Sequence, residues 1–103
     1  MEEIVFNLIM HSGDARSNCI KAINLAKKGN FVNARKYLDK ADEELGYAHN
    51  TQTSLIQQEA GWEKLEFSLI LTHGEDHLMT TMMFKDLAVE IVDIHEKIYN
   101  FEK

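Results

Sequence analysis

Proline is missing from this chain altogether, cysteine occurs once, at Cys19, and glycine only 5 times in 103 residues. Without proline nothing forces a helix to kink or stop, and few glycines keep the helical state inexpensive along most of the chain. A lone cysteine excludes an internal disulfide and suits a reducing compartment. No apolar run approaches the roughly 20 residues that cross a bilayer as a helix, which excludes direct membrane insertion. Positive charge is scarce as well: 11 Lys and Arg stand against 17 Asp and Glu, a net charge of −6. That is the wrong sign for gripping a phosphate backbone, so nucleic acid is excluded as a partner. Met1-Glu2-Glu3 lacks the basic start of a signal peptide, and the expected location is cytoplasmic.

What is present reads as helix. The content of 45% hydrophobic and 27% charged residues is that of a soluble globular chain, and its length suits one domain, 1–103. Ile4, Val5, Leu8, Ile9, Ser12, Ala15, Cys19, Ile20, Ala22, Ile23 and Ala26 recur at helical steps, predicting a first helix over about 2–28. Gly13 interrupts it and suggests a bend or a close helix contact. Gly29 suits the residue after a helix end, and Asn30 suits the cap of the next. The second helix, about 31–58, has the cleanest period: Phe31, Ala34, Leu38, Ala41, Leu45, Ala48, Gln52 and Leu55 alternate steps of three and four. The Asp42-Glu43-Glu44 run reads as its solvated face. Glu59 to Lys64 breaks the pattern and reads as a longer connection, where Trp62 could meet a partner or, the reading with more weight, pack at the bundle end. The third helix runs over about 66–101. A capping box of Thr72 with Glu75 argues for a later start, but Leu65 and Leu69 continue the stripe upstream and carry more weight. The expected fold is all-α, an antiparallel three-helix bundle. The broad apolar face of the third helix predicts self-association.

One stretch does not fit a purely structural account. Leu71-Thr72-His73-Gly74-Glu75-Asp76-His77-Leu78-Met79-Thr80 sets two histidines and two carboxylates close together. His73 and His77, one helical turn apart, share a face. On a wheel of about 100° per residue, Asp76, His77, Thr80, Met83, Phe84, Leu87, Ala88, Ile91, Ile94, Ile98 and Phe101 cluster around His73. The ionisable trio is therefore expected on the buried side of the helix, where unpaired charge is costly.

Several enzyme signatures are absent: there is no H-E-x-x-H, no P-loop, no G-x-S-x-G and no E-x-x-H pair. Cys19 lies on the apolar stripe and reads as a small core residue. His11, His49 and His95 have no comparable neighbourhood and read as structural. For the 73–77 cluster the spacing leaves three readings open. The histidines could be satisfied core residues. His73, Asp76 and His77 could ligate a metal, in the H-x-x-x-H arrangement with an acid. Or His73 could be a nucleophile that takes a phosphoryl group and hands it on, with His77 donating a hydrogen bond to the group in transit and Gly74 leaving room for a docking protein.

His73-Gly74-Glu75-Asp76-His77-Leu78-Met79-Thr80 resembles the signature of the lactose/cellobiose-type enzyme IIA proteins of the bacterial sugar phosphotransferase system. Gly13-Asp14-Ala15-Arg16-Ser17 and Ala48-His49-Asn50-Thr51-Gln52-Thr53 agree with it. The resemblance implies a three-helix bundle assembled as a homotrimer, a phosphoryl carrier between the phosphocarrier protein HPr and a cysteine of enzyme IIB. It implies phosphorylation of His73 at Nε2, with His77 as a second active-site histidine. It also implies that Asp76 holds a metal on the trimer axis, one carboxylate per chain, so that Mg²⁺ or another divalent cation would be bound once per trimer. The other reading still open is a non-catalytic helical metal-binding or adaptor bundle. The sugar served stays open among lactose, cellobiose and diacetylchitobiose. Position 75 is often glutamine in the family and is glutamate here. Its charge matters if Glu75 points at the site and matters little if it faces away.

Overall fold

In the computed structural model, which describes residues 2–61 and 68–102, the chain forms α1 (Glu2–Lys27), α2 (Phe31–Ala60) and α3 (Leu69–Glu102). Among the described residues there is no strand. The helices lie along a rod with extents of 59 × 20 × 18 Å. The all-α expectation holds. The predicted start of the third helix at 66, the weight given to Leu65 and the packing role given to Trp62 lie outside the described residues. The described part of α3 begins at Leu69. Ser68 caps it, with Oγ accepting from the Leu71 N–H at 3.0 Å. Thr72 is inside the helix, its N–H bonded to the Ser68 carbonyl at 3.0 Å, so the capping box is not formed and His73 sits past the first turn.

The first reversal is tight because its residues leave the chain little choice. Gly29 has φ +81°, a conformation with a steric cost for any side chain. It lets the Gly29 N–H reach the Ala26 carbonyl at 3.0 Å and the Asn30 N–H reach the Leu25 carbonyl at 2.9 Å, which satisfies the end of α1. A Cβ on Gly29 would also come within 3.2 Å of the Tyr99 ring. Asn30 then caps α2 through its side-chain oxygen. With α2 turned back on α1, and Arg35 of α2 bonded to Asp93 and Glu96 near the end of α3, the bundle runs up, down and up.

The core is narrow and made of small residues. Leu8, Ala15, Cys19, Ala22, Ala34, Ala41, Ala48, Leu78, Ala88 and Val92 are fully buried, and the alanines let the helix axes approach closely. Cys19 is a core residue, as read from its place on the stripe. Two readings need correction. Gly13 meets nothing within 4 Å of where its Cβ would stand, so it marks no close helix contact. The acidic run on α2 is not merely solvated: Glu44 pairs with His11 of α1, and Asp42 accepts from Lys85 of α3 at 3.1 Å. Charge joins the helices there.

The larger correction concerns α3. Leu71, Gly74, Leu78, Thr81, Ala88 and Val92 face the other two helices. His73 and Asp76 do not; both are exposed, and His77 is half-buried. Apart from Ala88, which is buried against the other helices, the stripe drawn around His73 is a second apolar face. Met83 is 68% exposed, Leu87 55%, Ile94 54% and Phe101 92%. A helix hydrophobic on two sides buries one against its own chain and presents the other.

Candidate functional site

α3 positions the chemistry. From Leu69 onward it is continuous, so His73 and His77 stack one turn apart on its flank. Their ring centroids lie 6.3 Å apart with planes 19° from parallel. Among the described residues neither imidazole has a hydrogen-bond or ion-pair partner. Both rings therefore keep a nitrogen lone pair or N–H for something outside the chain. This is the opposite of a satisfied core histidine, and His11, held by Glu44 and set 5.4 Å from the Tyr47 ring, shows the contrast.

The helix registers its neighbours away from the histidines. Gly74, beside His73 in sequence, is buried against α1: a Cβ there would meet Leu8 at 3.5 Å and Val5 at 3.7 Å. Gly74 therefore opens space for α1 and not for a docking protein. Glu75 turns to α2, where its carboxylate accepts from Gln52 Nε2. Gln52 Nε2 also lies 3.5 Å from Met79 Sδ. The Glu75 charge is thus spent on a link between helices and not on His73. That assigns Gln52, the polar member of the otherwise apolar repeat of α2. Thr51 donates to Asn7 at 2.9 Å, so the 48–53 stretch fixes α2 against both neighbours.

Asp76 projects from the exposed face. About five turns of 3.6 residues separate it from Ile94, which places both on one line along the helix. Its carboxylate has no basic partner among the described residues. The arrangement of His73, Asp76 and His77 as ligands of one metal is not formed within the chain: among the described residues no group of three or more His, Cys, Asp or Glu could hold an ion. Thr80 donates its hydroxyl back to the helix, to the Asp76 carbonyl at 3.0 Å and the His77 carbonyl at 3.2 Å.

On the other side of His77 lies a groove of about 180 Å³ between α1 and α3, lined by Arg16, His77, Thr80, Thr81 and Phe84. Arg16 was visible in sequence only as part of the 13–17 stretch, with no role attached. Its proximity to His77 follows from helix packing and from no local pattern.

Comparison with known proteins gives consistent matches. The sequence model described as "PTS system, Lactose/Cellobiose specific IIA subunit" matches residues 3–96. The chain is 51% identical to the lichenan-specific phosphotransferase enzyme IIA component of Bacillus subtilis, over 95% of this chain and 89% of that one. Its fold superposes on the cellobiose-specific enzyme IIA of Bacillus anthracis with a TM-score of 0.93 and 43% identity, covering 96% and 91% of the two chains. It superposes on the IIA(chitobiose) structure solved as a complex with HPr from Escherichia coli with a TM-score of 0.83 and 42% identity, covering 95% of each.

Proposed function

The chain belongs to the lactose/cellobiose-specific IIA family of the phosphotransferase system, phosphotransfer proteins of sugar transport, and on that footing we propose that it carries its phosphoryl group on His73. The observation that supports this reading is the exposed His73 ring with no partner among the described residues, beside a second open imidazole on a rigid helix. Phosphoryl transfer asks mainly for a placed nucleophile and for stabilised charge, and α3 supplies the placement.

The donor is phospho-HPr, by analogy with the IIA(chitobiose)–HPr complex. The N–P bond of the donor imidazole breaks as the bond from His73 Nε2 to phosphorus forms. One proton passes from the His73 imidazole to the donor's, so both rings are neutral before and after. In the second half-reaction a cysteine thiol of enzyme IIB takes the phosphoryl group and its proton returns to His73. His77 donates a hydrogen bond to the group in transit. The carrier never touches the sugar, so its surface does not distinguish lactose, cellobiose and chitobiose types. A non-catalytic metal-binding or adaptor bundle is not favoured by a chain whose relatives are IIA components throughout its length.

Assembly belongs to the same reading. The exposed line of Met83, Leu87, Ile94, Ile98 and Phe101 is the face through which three copies would form a homotrimer. Asp76 on that line would place one carboxylate per chain at the seam. An all-oxygen set of this kind fits a hard cation such as Mg²⁺, one per trimer, which would neutralise mutual repulsion among the carboxylates. The cation's role is then in assembly, and transfer does not pass through it.

The test is incubation with enzyme I, HPr and phosphoenolpyruvate followed by intact mass. The expected result is one acid-labile phosphate per chain, absent in His73→Gln. No mass gain in the presence of demonstrably phosphorylated HPr would sink the assignment.

A further inference from the structure

The chain has two arginines, Arg16 and Arg35, and uses them differently. Arg35 is forked across Asp93 at 3.1 Å and Glu96 at 3.0 Å, a link between α2 and α3. Arg16 has no ion pair or hydrogen bond among the described residues, although the chain's net charge is −6. It lines the α1–α3 groove with His77, Thr80, Thr81 and Phe84. An exposed, uncommitted guanidinium beside an open imidazole is a site prepared for an oxyanion.

We propose that Arg16 holds the non-bridging oxygens of the phosphoryl group during transfer to and from His73. The inference rests on the carrier reading given above and adds a residue to it. His77 connects the two halves of the site. Its ring lies 6.3 Å from that of His73, and it also lines the groove that Arg16 occupies. A phosphoryl group on His73 that accepts a hydrogen bond from His77 therefore sits at the mouth of that groove, within the sweep of a long arginine side chain.

The other candidates for this role are already engaged. The Thr80 hydroxyl donates to the carbonyls of Asp76 and His77. The Thr51 hydroxyl is taken by Asn7 and by the Tyr47 carbonyl. Lys85 is held by Asp42 at 3.1 Å and Asp86 at 3.3 Å. Thr81 is only 3% exposed and can do no more than line the floor. As the donor N–P bond breaks and the bond to Nε2 forms, negative charge is spread over the oxygens. A planar fork of N–H donors receives it without reorganisation.

The test is rapid-quench kinetics with phospho-HPr, varying its concentration, on the full chain and its Arg16→Gln and Arg16→Lys variants. Arg16→Gln is expected to lower kcat by about 10- to 100-fold, in line with the loss of one oxyanion donor, with KM and thermal melting close to wild type. Arg16→Lys restores part of the loss, because it keeps the charge and loses the fork. In the phosphorylated protein the ³¹P titration midpoint is expected to move to higher pH in Arg16→Gln, because a nearby cation favours the dianion. An unchanged kcat overturns the proposal. So does a loss confined to KM, which would mean that Arg16 touches the partner and not the transferred group. A wild-type chain that takes no phosphate removes the carrier reading and this inference together. A wild-type chain phosphorylated on His73, with Arg16→Gln transferring at the wild-type kcat, removes the role of Arg16 alone.

Discussion

Along α3, Leu71, Gly74, Leu78, Thr81, Ala88 and Val92 lie against the other two helices, while Met83, Leu87, Ile94 and Phe101 on the opposite side remain exposed. Both faces are apolar, and the exposed one carries the larger side chains. The inner face is built from small residues and single leucines because two neighbouring helices must fit close to it. The outer face has no such restriction, and it is where the polar residues of the functional stretch emerge. His73, His77 and Asp76 thus border an exposed apolar surface. The residues buried within the chain are almost all apolar, with Ser12 and Thr81 the polar ones among those described. Among the described residues the buried Ser12 hydroxyl has no hydrogen-bond partner.

The comparison can be broken most forcefully on the inner side. Leu78 is fully buried, and Leu78→Ala is expected to cost about 3 kcal/mol through lost burial and the cavity left behind. Urea denaturation at fixed protein concentration measures it. A loss below about 1 kcal/mol would mean that the inner face is not the core.

A smaller effect comes from Cys19. Burial pushes its thiol up from 9.0 to about 11, with the positive charge of Lys85 pulling the other way. The folded chain therefore holds the proton more tightly than the unfolded chain does. The resulting stability is complete below the unfolded pKa and is lost as pH rises from about 9 through about 11. Between those limits wild type should lose about 1–2 kcal/mol relative to Cys19→Ala. Denaturation of both proteins at pH 8 and pH 10.5 gives the difference; parallel losses would show that Cys19 contributes nothing.

On the outer face the expected change is smallest and has the opposite sign. Asp76→Leu should leave the proposed homotrimer at least as stable as wild type when a chelator is present, since a group of like charges is replaced by apolar contact. Sedimentation analysis reads the outcome. Dissociation of the variant under those conditions would remove Asp76 from the seam.

Much of the fold was legible beforehand. The absence of proline, the cap residues Gly29 and Asn30 and the three-four rhythm of α2 are local signals, and local hydrogen bonding acts on them directly. The His73–His77 pair was legible too, since a helix brings such residues together wherever it sits. Two features were misread for one reason. The wheel around His73 gathers apolar residues of the outer face together with Ala88 of the inner one, because apolarity does not record whether the partner is the same chain or another. The sequence offers Gly74 to an incoming protein, whereas its missing side chain makes room for Leu8 and Val5 of α1. The direction of Glu75 is not legible locally because its partner, Gln52, comes from a different helix.

The sequence by itself determined the helices, their ends and the register of the two histidines, because those depend on neighbours a few residues away. Tertiary packing decided which face of α3 is interior, where the Glu75 charge goes, and that Arg16 of α1 stands beside His77 of α3. These depend on how helices rotate about their axes to interlock, and that rotation is set by the summed fit of many side chains and not by any local pattern.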